Sequence, residues 1–196
     1  MIKIGILGDI GSGKSFVSKQ FGHRVFNADK EVDKIYKTQK SCFFKLNRSL
    51  PKYIKTYPIK KKEISNAILK NKKNLKKIVK IVHPLVKKKM QLFLIKNKKE
   101  KLLTFDIPLL IENKINTKNF ILIFVDAKKS EINKRLKKRL NYNKELIDNF
   151  RKIQVSLKIK KKMSNYIIRN NFRLLTIKNK VKIIKSSILK NDRNST

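Results

Sequence analysis

The chain opens on an apolar run, MIKIGIL, in which Ile2, Ile4, Ile6 and Leu7 predict a buried strand. A glycine-rich stretch follows, and then Phe16, Val17, Gln20 and Phe21 fall at helical spacing. Residues 24–28 (RVFNA) read as a second short strand ending at Asp29, and 30–37 as a helix. From 38 to 62 no period holds, and Pro51 and Pro58 break what pattern there is, so this stretch is expected to be irregular. Helices are expected over 63–69 and 75–82. Pro84 is expected to open a further long helix, striped by Leu85, Val86, Met90, Phe93 and Leu94. That stripe is read as core packing. Residues 102–105 and 120–125 are compact apolar runs, as in parallel strands covered on both faces. Helices over 129–140 and 144–163, a fifth strand at 166–168, a closing helix over 181–189 and a frayed tail at 191–196 complete the pattern.

Strands alternating with helices predict an α/β fold: a doubly wound, five-stranded parallel sheet in a single domain, without internal repeats. Ligands in such sheets lie beyond the carboxyl ends of the strands. Asp29, Asp106 and the glycine-rich stretch all follow a strand directly.

The 196 residues suffice for one α/β domain with a substantial core. The single cysteine, Cys42, forms no intrachain disulfide and reads as a small buried hydrophobe. No run reaches membrane-spanning length, and the short N-terminal apolar run does not read as a signal peptide, so a cytoplasmic location is expected. Charge changes the picture more. The formal net charge is +39, from 52 Lys+Arg against 13 Asp+Glu. Such a field steers anions inward and favours non-specific polyanion adhesion. Yet lysine far outnumbers arginine and is spread along the chain beside abundant Ile and Asn, as A/T-rich coding favours. Most of it is read as solvated surface. There is no tryptophan and no aromatic-interleaved basic strand to stack bases, so specific nucleic-acid binding is not expected.

The glycine-rich stretch is Gly8-Asp9-Ile10-Gly11-Ser12-Gly13-Lys14-Ser15. This G-x-x-x-x-G-K-S pattern between a strand and a helix is that of a phosphate-cradling P-loop. The glycines let successive amides turn toward phosphate oxygens. Lys14 brings a mobile charge to the outer phosphates, Ser15 a hydroxyl for Mg²⁺, and the following helix its positive end. Gly8, Ile10, Gly11, Ser12, Gly13, Lys14, Ser15 and Phe16 are therefore the expected contacts for ATP.

Other segments narrow the reading. Asn27-Ala28-Asp29 follows the second strand, His83-Pro84 stands before the long helix, and Pro108-Leu109-Leu110-Ile111-Glu112 follows the third strand. Arg135 and Arg139 are separated by three residues, Gln154 lies downstream, and Asn165-Tyr166-Ile167-Ile168-Arg169-Asn170 forms the last strand. In this order these segments resemble the dephospho-CoA kinase family, whose patterns are GGIGSGKS, D-A-D, His-Pro, P-L-L-x-E, R-x-x-x-R and D-Y-V-I-x-N. The resemblance covers residues 1 to about 190.

It implies a nucleoside-monophosphate-kinase-like P-loop fold, with a core of 1–37 and 101–190, a helical substrate-side insertion at about 38–100 and a lid at about 139–155. It implies transfer of the ATP γ-phosphoryl to the ribose 3′-hydroxyl of dephospho-CoA, giving CoA and ADP. Asp29 is then the acceptor-side carboxylate; by position alone it serves equally as a helix cap. Asp106 reads as a Mg²⁺ ligand or a turn residue. His83, Pro108, Leu109 and Glu112 fall on the substrate side, though Glu112 can equally pair with a lysine. Arg135 and Arg139, four apart on one expected helix face, can address one anion, Arg135 as a nucleotide contact and Arg139 as a catalytic lid residue. Asp9 stands where the family has glycine, Asn27 replaces the first acid of D-A-D, and Asn165 and Arg169 alter the last strand. The alternatives left open are another small P-loop kinase, acting on a nucleoside monophosphate or small metabolite, or a basic nucleic-acid-binding protein.

Overall fold

In the computed structural model, residues 1–22, 24–108, 110–112, 119–140 and 142–193 are described. Strands β1 (Ile2–Gly8), β2 (Val25–Asn27), β3 (Leu102–Asp106), β4 (Phe120–Asp126) and β5 (Tyr166–Arg169) form one sheet in the order β2-β3-β1-β4-β5. Every pairing is parallel, with Ile4 opposite Thr104 on one side and Ile121 on the other. The expected five-stranded parallel sheet is thus present, with β1 at its centre.

Two compact units divide the chain. The first, residues 1–27, 97–142 and 154–196, holds the sheet with helices α1 (Lys14–Phe21), α6 (Lys129–Lys137), α8 (Leu157–Lys162) and α9 (Leu174–Arg193). Alternation along β1 sends Ile2, Ile4 and Ile6 into a core with Val17, Phe21, Ile123, Val125, Ile168, Ile177, Val181 and Ile188. Gly5, between them, faces the opposite way: a Cβ there would lie 2.7 Å from Leu110 Cδ2 and 2.9 Å from Leu122 Cδ2.

The second unit, residues 28–96 and 143–153, is helical: α2 (Ala28–Thr38), α3 (Lys40–Ser49), α4 (Lys61–Lys70), α5 (Lys73–Lys96) and α7 (Lys144–Lys152). Helix α5 packs against α2, α3 and α4 through buried Leu75, Ile78, Val82, Val86 and Met90. Among the described residues no helix is long and apolar enough to cross a membrane.

Five elements depart from the sequence pattern. Residues 40–49 are helical rather than irregular, because Cys42 and Leu46 bury completely at i, i+4 spacing. The two helices expected around Pro84 are one, α5, with Pro84 inside it. Pro84 and Lys80 are both exposed, so the carbonyl left without an amide partner faces water. Helix α6 stops at Lys137, since after Leu136 no apolar side chain buries and Leu140 is fully exposed. The helix expected over 144–163 breaks between α7 and α8, each capped by its own side chain, Asn143 Oδ1 at 2.8 Å from Leu146 N and Ser156 Oγ at 3.3 Å from Ile159 N. The closing helix starts earlier than expected, at Leu174, and runs through residue 193; the rest of the expected tail lies outside the described residues.

Candidate active site

At the carboxyl end of β1 the chain turns through Gly8 (φ 146°), Gly11 (φ 86°) and Gly13 (φ 90°), angles that side chains rarely adopt. Space as well as angle requires glycine at all three, and a Cβ on Gly8 would lie 2.7 Å from the Val125 carbonyl oxygen. A Cβ on Gly11 would meet Leu136 Cγ at 2.9 Å, and one on Gly13 would collide with Asn170 Nδ2. Gly13 is the N-cap of α1 and accepts the Phe16 and Val17 amides, each at 3.0 Å. Ser12 N closes a tighter turn onto Asp9 O at 3.1 Å.

Lys14 Nζ lies over the loop it belongs to, donating to Asp9 O at 2.7 Å and Gly8 O at 3.2 Å. The Asp9 carboxylate turns back onto the main chain, Oδ1 accepting Ile10 N at 2.7 Å. Ser12 Oγ is buried without a hydrogen-bond partner. A buried, unsatisfied hydroxyl beside a helix N-terminus and an ammonium suits an oxyanion. Ser15 is exposed in the first turn of α1. Every residue of the glycine loop expected to contact ATP is thus gathered around one turn. Phe16 stands just inside the helix, partly exposed.

Neighbouring segments press on this loop. Leu136 and Ile132 of α6 cover Gly11. Asn170, just past β5 and 5% exposed, donates to Ser12 O at 2.8 Å and accepts Phe172 N at 2.8 Å. Phe172 has a positive φ of 61°. Its ring lies under the Arg135 guanidinium, 4.4 Å from the centroid. Asn170 closed the last motif in the sequence, but nothing there showed that its amide would brace the glycine loop.

Asp106 ends β3, beside β1, and is 3% exposed. Its Oδ2 accepts Asn27 Nδ2 at 2.6 Å, so the residue replacing the first acid of D-A-D orients this carboxylate. Among the described residues no group of three or more His, Cys, Asp or Glu could hold a metal ion. Magnesium in nucleotide sites takes one or two protein oxygens and completes its shell with phosphate and water, so Ser15 and Asp106 are donors of the right kind. Asp29 is exposed in the first turn of α2, within the second unit, where the helix dipole favours a carboxylate.

Arg139 is exposed and lies beyond α6, not on the helix face of Arg135 as expected. His83 lies within α5, and partial burial lowers its pKa. Pro108 is partly buried in the turn after β3, and Leu109 lies outside the described residues. Glu112 Oε1 accepts Val155 N at 2.8 Å and pairs with Lys160 Nζ at 2.8 Å.

The Dephospho-CoA kinase family model matches residues 2–175. The chain belongs to the dephospho-CoA kinase family. A dephospho-CoA kinase of Wolbachia pipientis wMel is 35% identical over 170 residues, covering 84% of this chain and 87% of that one. One from Fusobacterium nucleatum is 32% identical over 187 residues, 91% of this chain and 94% of that one. The solved dephospho-CoA kinase of Campylobacter jejuni shares the fold with a TM-score of 0.65 at 20% identity, over 97% of this chain and 98% of that one. The alternative readings, another acceptor or nucleic acid, find no support in these relatives.

Proposed function

We propose that the chain transfers the γ-phosphoryl of ATP to the ribose 3′-hydroxyl of dephospho-CoA, the last step of coenzyme A synthesis, with Asp29 orienting the acceptor. The observation that supports this is a turn of three positive-φ glycines leading into Lys14 and Ser15, in a member of the dephospho-CoA kinase family.

Phosphoryl transfer depends on positioning and charge neutralisation more than on covalent help. The amides after Gly11 and the α1 N-terminus hold the triphosphate. Lys14 leaves the carbonyls of Gly8 and Asp9 for the outer phosphates, exchanging partial charges for full ones. Ser15 and Asp106 would hold a Mg²⁺ ion, whose charge would offset that of the phosphates. Asp29 accepts the ribose hydroxyl and takes its proton late, a task within reach of an ordinary carboxylate when the transition state is loose. Arg135 contacts the nucleotide and Arg139 closes toward the transferring phosphoryl as part of a lid over about 139–155. His83, Pro108, Leu109 and Glu112 belong to the acceptor side, and the helical insertion of about 38–100 shapes it. The enzyme works in the cytoplasm.

Purified protein with ATP, Mg²⁺ and dephospho-CoA should yield CoA, identified by product mass. Asp29→Asn should lower kcat roughly 10²-fold or more with little change in ATP affinity. Loss of ATP binding in that variant would assign Asp29 to the nucleotide instead.

A further inference from the structure

Among the described residues, Phe172 is the one residue other than glycine held at a positive φ, 61°. A bulky side chain is strained there, and such strain persists only where neighbours over-determine it. The neighbour here is Asn170, whose Oδ1 accepts Phe172 N at 2.8 Å while its Nδ2 donates to Ser12 O at 2.8 Å. One buried amide therefore ties the strained residue to the glycine loop.

The strain places a ring. A Cβ on Gly13 would lie 3.4 Å from Phe172 Cε1, so the ring borders the residue that caps α1. Against the ring stands the Arg135 guanidinium, 4.4 Å from the centroid. Arg135 belongs to α6, the helix whose Ile132 and Leu136 cover Gly11. Two independent contacts, one through the helix and one through the ring, thus bring this exposed cation to the phosphate cradle. An exposed arginine samples many rotamers, and fixing them on binding costs free energy. A ring beneath the guanidinium limits those rotamers and lowers that cost. Packing alone does not account for Phe172. Its ring is only partly buried, and glycine would take the same angle without strain.

We propose that Phe172 is a positioning residue for the nucleotide: its ring holds the Arg135 guanidinium beside the glycine loop, where the phosphates of ATP meet it. Phe172 acts through Arg135 and does not touch the transferring phosphoryl. A stack within the protein serves bound ATP and the transition state alike, so it acts on KM rather than kcat. The inference rests on the kinase reading above.

The test is a double-mutant cycle of Phe172→Leu and Arg135→Ala. It is read as ADP affinity by calorimetry with Mg²⁺, and as steady-state KM and kcat with ATP and dephospho-CoA. Phe172→Leu removes the π face and should weaken ADP binding and raise KM for ATP about 5-fold, with kcat within about 2-fold. Arg135→Ala should weaken both about 10-fold. In the Arg135→Ala background, Phe172→Leu should change neither by more than about 1.5-fold. Phe172→Tyr keeps the ring face and should restore ADP affinity to within about 2-fold of wild type. Phe172→Gly takes the positive φ without strain, should reproduce the leucine variant, and supplies the answer should that one not fold. Unchanged ADP affinity in Phe172→Leu overturns the proposal. So does an equal loss in both backgrounds, which would make the ring itself a nucleotide contact or a prop of the loop. A wild type that binds ADP but makes no CoA overturns the kinase reading, while the cycle in ADP affinity still decides the role of Phe172. A wild type that binds no ADP overturns both.

Discussion

In the loop at 8–15 the working groups are main-chain amides, held by angles that glycine reaches and by neighbours that leave no room for a Cβ. Around Lys160 the working groups are chiefly side-chain tips, brought from three segments onto one buried ammonium. The first is local, and its chemistry is written in consecutive residues. The second is long-range, and no contiguous word in the sequence spells it. The difference teaches where single substitutions should act: the loop can lose chemistry while keeping its fold, and the network can lose fold as well as chemistry.

The largest expected effect breaks the network. Lys160→Met alone strands Glu112 as a buried, uncompensated carboxylate and should cost about 3–5 kcal/mol of stability, read from urea unfolding. A loss under about 1 kcal/mol would mean that water already reaches the pair, erasing the contrast with the loop. Next comes Lys14→Ala, which should lower kcat roughly 10²-fold or more, about 2.7 kcal/mol of barrier, without moving the urea midpoint. A shifted midpoint would show that the ammonium braces its own loop through the Gly8 and Asp9 carbonyls. The smallest effect lies outside both regions. Partial burial lowers the pKa of His83, so the unfolded chain binds its proton more readily than the fold does. Its contribution is intact above about pH 6.5 and is lost as pH falls through the depressed folded value. His83→Gln should therefore flatten part of the acid-side decline in melting temperature, with no change near pH 8.

The same contrast explains what the sequence allowed one to read. All five strands were legible because compact apolar runs between turn residues have few other uses. The glycine loop was legible because each glycine answers a backbone demand. Helix α3 was not: Cys42 and Leu46 identify a buried face only once α5 supplies the partner surface. Pro84 misled because the proline rule concerns an isolated helix, whereas α5 is held along its length by packing. Arg139 left the α6 face because Leu140 found nothing to cover it. Lys160 was least legible of all. It stands among Lys158, Lys161 and Lys162, alike in residue type and distinguished only by what lies opposite. The nearest signal was Gln154, singled out by the family pattern without a reason.

Asn170 carries a consequence for synthesis. Its amide braces Ser12 across 158 positions of sequence. On the ribosome the phosphate cradle is made 158 residues before its brace. A stalled nascent chain ending before residue 170 would display the glycine loop without this support, and nucleotide should rigidify it only after release.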